Sequence, residues 1–191
     1  MSKHTAITIS HFPETELQGS KTYALMLGFE LDDMDEVSQS LKSYERLHPS
    51  GDHLFSPFTL VKIFLELEKR KRFDAVAENV ANINNAVEGS QWQASANTNY
   101  IDSHHLVQLY LKVSFVKLGL AMWKDQLLGM KEHIPEFRST ISPREIDPGD
   151  YLSRLIDEYG AAIEKCNAVL LTTSLTFQRV SVSRLRSEPD I

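Results

Sequence analysis

A chain of 191 residues that is 42% hydrophobic and 24% charged has the length of one domain and enough apolar side chains to bury a core. Its net charge of −6 argues against a nucleic-acid binder, which needs a basic face that dominates its field. The single cysteine, Cys166, excludes an intramolecular disulfide and fits a reducing compartment, so the expected location is cytoplasmic.

The acid lies early, with nine acidic against four basic side chains in residues 1–56. Residues 1–5 lack the apolar run of a signal peptide. Ala6-Ile7-Thr8-Ile9 reads as a short strand, and the apolar stretch 23–31 is open between strand and helix. In residues 30–36 the carboxylates of Asp32, Asp33, Asp35 and Glu36 crowd together. They are the weak candidates for a metal, since Mg2+ is held by few carboxylates and several waters. The plainer reading is a solvated loop or a helix start. The EF-hand spacing, with its central glycine and terminal glutamate, is absent.

A first long helix is expected from Ser56-Pro57, a capping serine before a proline suited to the first helical position. Residues 58–67 are apolar on nearly all sides and should be buried. A basic knot follows, Lys69-Arg70-Lys71-Arg72, flanked by Glu66, Glu68 and Asp74, which partly neutralise it into a solvated face. The stripe then resumes at Phe73, Val76, Val80, Ile83 and Val87, and the Asn, Ser, Gln and Gly of 88–101 read as a loop.

The second helix carries the clearest pattern, from Asp102 or Ser103 to Ile134, stopping before Pro135. Leu106, Leu109, Val113, Val116, Leu120, Trp123, Leu127, Met130 and Ile134 alternate spacings of three and four, a heptad seam. A third helix should open at Asp147-Pro148, with Leu152, Leu155, Tyr159, Ala162, Cys166 and Val169 as its seam, and fade near Gln178. The expected fold is mainly α. It is an elongated bundle of three long helices in antiparallel coiled-coil packing over residues 56–178. A short mixed segment at 1–55 precedes it and a polar flexible tail at 179–191 follows. The most apolar uninterrupted stretch late in the chain, Ala168 to Phe177, falls short of the roughly 20 predominantly apolar residues of a membrane span, so no direct span is expected.

Catalytic chemistry finds little purchase. His104 and His105 are adjacent and diverge by about 100° on a helix, whereas two ligands on one helix need spacings of three or four. His48, His53 and His133 have no partner at such spacing, and Cys166 falls on a packing seam. Phosphate-cradling glycine loops and nucleophile-elbow sequences are absent. The expectation is a protein that is not an enzyme and holds no firm cofactor.

Three stretches resemble a known family when read in order. His53-Leu54-Phe55-Ser56-Pro57 leads into the run from Phe64 to Phe73. Leu109-Tyr110-Leu111-Lys112-Val113-Ser114 continues to Trp123-Lys124-Asp125-Gln126-Leu127 and Met130-Lys131-Glu132-His133. Leu155-Ile156-Asp157-Glu158-Tyr159 is followed by Ile163-Glu164-Lys165-Cys166. Across 50–178 these resemble the cytosolic helical region of the fungal CorA-like magnesium transporters. The family's two hydrophobic membrane helices and the Gly-Met-Asn signature between them have no counterpart in this sequence. The resemblance implies the cytosolic part of a divalent-cation transporter, truncated before the transmembrane helices and not conducting alone. Its partners would be further copies or CorA-like transporter subunits. The alternative is a helical interaction module unrelated to ion transport.

Overall fold

The computed structural model describes residues 6–12, 21–47, 57–95, 103–137 and 147–187. In chain order these form β1 (Ala6–Phe12), β2 (Lys21–Leu27), α1 (Leu31–Leu47), α2 (Pro57–Ser95), α3 (Ser103–Phe137) and α4 (Pro148–Ser187). The fold is mainly helical, with one small antiparallel sheet at its N-terminal end.

The two strands pair from Ala6 opposite Leu27 to Phe12 opposite Lys21, which puts Ile7 beside Met26 and Ile9 beside Ala24 on one face. The stretch 23–31 is thus strand as far as Leu27. Gly28 then takes φ 77°, a left-handed turn that only glycine adopts without cost, and the chain enters α1. The acidic residues sit at the head of this helix. The Asp33 carboxylate accepts the N–H of Glu30, and the N–H of Met34 reaches the Glu30 carbonyl. Carboxylates here also meet the positive end of the helix dipole. Of the two readings of residues 30–36, the helix start is the one observed.

The chain divides into two compact units. One contains Met1–Lys71 and Met130–Tyr151, the other Arg72–Gly129 and Leu152–Ile191. In the first, Val37 of α1 packs on Ile63 and Leu67 of α2, with Met26, Phe29 and Leu41 around them. Tyr151 is buried there too. Its hydroxyl donates to Glu66 over 2.8 Å, and its ring meets Phe58 edge-on at 6.0 Å.

In the second unit the α3 seam is buried at Leu106, Leu109, Val113, Leu120 and Leu127, and the α4 seam at Leu152, Leu155, Tyr159, Cys166 and Val169. Three relations give the direction of the pair. Tyr110 meets Phe177 with ring centroids 6.4 Å apart. Lys117 lies within electrostatic reach of Cys166. The Lys124 ammonium would stand 3.2 Å from a Cβ added at Gly160. Numbers rise along α3 as they fall along α4, so the two segments run antiparallel. From α2, Phe73 meets Tyr159 at 5.2 Å, edge to face.

Helix ends depart from the sequence-based bounds. α2 continues through Ser95, into the stretch expected to be a loop. One glycine, Gly89, costs only about 1 kcal/mol, and adding residues to an established helix is cheap compared with starting one. α3 includes Pro135 in its last turns, where the missing N–H removes a single helical bond. α4 runs to Ser187, beyond the expected fade at Gln178 and into the stretch expected to be a flexible tail. Its start agrees with the expectation: Asp147 caps the helix, its Oδ1 accepting the Gly149 N–H over 2.7 Å. Ser56, His48 and His53 lie outside the described residues.

Candidate functional site

Two charged runs far apart in sequence meet in the first unit. Asp33, only 8% exposed, binds the Lys71 ammonium at 2.7 Å, and Glu36 pairs with Arg70. Lys69 pairs with Glu66 at 2.9 Å, and Lys71 also lies over the Phe29 ring at 5.6 Å. Burial pushes the Asp33 carboxyl up. The Lys71 hydrogen bond, the Glu30 N–H and the charges of Lys71 and Arg70 outweigh it, and the carboxyl titrates below its usual range. Half of the proposed cation cluster is therefore turned to the basic knot. Asp32 and Asp35 remain exposed to solvent. Among the described residues no group of three or more His, Cys, Asp or Glu is arranged to hold a metal ion.

This pairing had no local signal. The knot's nearest sequence neighbours, Glu66, Glu68 and Asp74, pointed to self-neutralisation. The Glu66–Lys69 pair follows that pattern, while α1 supplies partners to Arg70 and Lys71. Arg72 takes a different course, laying its guanidinium over the Trp123 ring at 4.5 Å.

The packing residues divide by exposure. Leu109, Val113, Leu120, Leu127, Tyr159 and Cys166 are buried, Val116 and Trp123 half-buried, and Met130 is 38% exposed. Met130 departs from the rest of the seam. Burial pushes the Cys166 thiol up, with Lys117 and Lys165 pulling it down less strongly. A protonated, enclosed thiol is a packing group and a poor nucleophile. His104, His105 and His133 are exposed on α3.

A second stripe on α3 was not singled out from the sequence. Val107, Leu111, Phe115, Leu118 and Met122 are all exposed. They recur at spacings of four, four, three and four, the same rhythm as the seam, so the signal was present but belonged to the opposite face. With both faces apolar, residues 104–135 are long and apolar enough, by length and composition alone, to cross a membrane, and only 22% of the most apolar window is buried. Lys112 and Lys117 break this segment into shorter uncharged runs.

No family model matches this chain, and neither a curated protein nor a solved structure does.

Proposed function

We propose that this chain is a non-catalytic helical assembly module, the cytosolic part of a CorA-like divalent-cation transporter, which does not conduct ions by itself. The reading rests on the resemblance over 50–178. The observation that carries it is the antiparallel run of α3 against α4, in which Trp123-Lys124 and Tyr159-Gly160, the centres of the two family-like stretches, lie at one level. On this proposal the three long helices form an elongated bundle with coiled-coil packing, located in the cytoplasm at the cytosolic face of a membrane. Partners are further copies or full-length transporter subunits. Mg2+ would be held weakly at the head of α1 by Asp32 and Asp35, because Asp33 and Glu36 already face cations.

The direct test is co-purification of the tagged chain with detergent-solubilised CorA-like subunits. Retention that is lost on disrupting the seam supports the reading. Absence of retention, with a transcript whose frame does not continue into hydrophobic helices, sinks it. Titration calorimetry with Mg2+ on the protein and on an Asp32→Asn/Asp35→Asn variant checks the cation separately. Equal binding by both would rule the cluster out.

One observation favours the second reading, an interaction module unrelated to ion transport. The acidic run spends its two best-placed carboxylates on holding α1 to α2, which is a structural use of charge.

A further inference from the structure

Among the described residues the sheet has two strands, so each strand keeps an outer edge to which no third strand is paired. Directly opposed residues of an antiparallel pair share a face, so Tyr23, Leu25 and Leu27 of β2 stand on the side of Ser10, Thr8 and Ala6 of β1. The other face carries Met26, which packs on the core of the first unit. The row on the first face is bare: Tyr23 is 59% exposed, Leu25 60% and Leu27 56%. Natural strand edges are guarded by charge, proline or a bulge. Here the ladder runs without a bulge from Ala6 opposite Leu27 to Phe12 opposite Lys21, and residues 22–27 hold neither a charge nor a proline. Charge sits only at the two ends of β2. Lys21 opens it, Glu30 and Asp32 follow it, and all three are exposed.

The row and the charges fit one occupant, the same strand of a second copy. We propose that the outer edge of β2 is a homodimer interface, in which two copies of β2 pair antiparallel about a two-fold axis at Ala24 and join two hairpins into one four-stranded sheet. In that register Tyr23 lies opposite the second copy's Leu25, Leu25 opposite its Tyr23, and Ala24 meets its own counterpart at the axis. The two apolar rows come side by side, and aromatic–aliphatic pairs across strands stabilise such a joint. Joining along β1 would leave the rows at the outer margins, because β1 presents Ala6, Thr8 and Ser10 on that face. Antiparallel order also brings Lys21 to the end of the second copy's strand that leads into Glu30 and Asp32, and symmetry repeats the match at the other end. The two acidic ends are then separated by the ladder, which for 7 residues is roughly 20 Å long, beyond the 8 to 10 Å or so over which charges act at ordinary salt. A parallel pair would set acid beside acid. The inference stands apart from the transporter reading, because it uses residues outside 50–178 and needs no transporter subunit.

Sedimentation of the full chain over a concentration series tests it, and the expected result is a monomer–dimer equilibrium. Leu25→Lys, at a position exposed in the single chain, should weaken the dimer by about tenfold or more, because it charges the edge and removes two cross-strand pairs at once. Lys21→Glu should weaken it less, by setting acid against Glu30 and Asp32. Circular dichroism shows whether each variant is folded. Oxidation of Ala24→Cys should give a disulfide-linked dimer, whereas Lys21→Cys, whose counterpart lies at the far end of the ladder, should not. The native Cys166 is buried, so the unaltered chain serves as the background. The cross-link decides the matter even where Leu25→Lys fails to fold. A monomer at every concentration overturns the proposal. So does a dimer that a folded Leu25→Lys leaves intact, or one that Ala24→Cys fails to cross-link. A monomer that still co-purifies with transporter subunits would sink this inference and leave the transporter reading standing.

Discussion

The contact of α1 with α2 and that of α3 with α4 use opposite physics. The first has a small apolar centre, Val37 with Ile63 and Leu67, and a rim of ion pairs, Asp33 with Lys71 and Glu36 with Arg70. The second is a run of enclosed apolar residues, among them Leu120, Leu127, Leu155, Tyr159 and Cys166. Charge contacts weaken with salt and with protonation. Apolar burial responds to neither in the same way. One chain should therefore show two kinds of sensitivity, and substitutions can separate them.

The sharpest break comes from Leu127→Ala, at a fully enclosed position of α3. Loss of a buried leucine costs about 2 to 5 kcal/mol, a large part of the roughly 5 to 15 kcal/mol that stabilises a domain. The urea midpoint should fall strongly, by a similar amount at low and high salt. An unchanged midpoint would mean that the seam is not a core.

Trp123→Ala should cost less than a fully buried tryptophan, about 2 to 3 kcal/mol, because the ring is half-buried and one face carries Arg72. Arg72→Ala should cost only a fraction of that amount. If a double-mutant cycle of the two shows no coupling, the stacking contributes nothing beyond proximity.

Asp33→Asn should lower the midpoint at neutral pH by about 1 to 2 kcal/mol, a charged hydrogen bond discounted for the exposed Lys71. Asparagine can still accept the Glu30 N–H, so the change isolates the charge. The folded carboxyl titrates below its usual value. Its stabilisation is therefore present above about pH 4, the unfolded value, and is lost as pH falls through the lower folded value. The parent should lose stability between neutral and strongly acid pH faster than the variant does. Parallel curves would remove Asp33 from the account.

Glu36→Gln and Met130→Ala should be the mildest, each below about 1 kcal/mol. Both members of the Glu36–Arg70 pair are more than a third exposed, and Met130 lies off the buried seam. A loss at Met130 comparable to that at Leu127 would restore it to the seam.

Legibility followed the range of the interaction. The strand at residues 6–9 and the cap at Asp147-Pro148 could be read locally, because alternation and capping act over a few residues. The seams could be read because burial on a helix face recurs every three or four positions. Most seam positions are enclosed, Val116 and Trp123 are half-buried, and Met130 is exposed. The ends of α2 and α4 were misplaced, since polar composition resembles loop while an established helix extends cheaply. Of the carboxylates proposed for a cation, pattern could place all four together but could not say which would already be paired.

By itself the sequence determined a helical chain, the faces that are apolar and the places where charge gathers, since these depend on residue type and spacing alone. The tertiary structure alone decided that the acidic head of α1 meets the basic knot 34 and 38 residues away, that Arg72 covers Trp123, and which apolar face of α3 is enclosed. Both stripes of that helix have the same hydrophobic rhythm. Local propensity cannot choose between them, because the choice depends on where a neighbouring helix, distant in sequence, comes to lie.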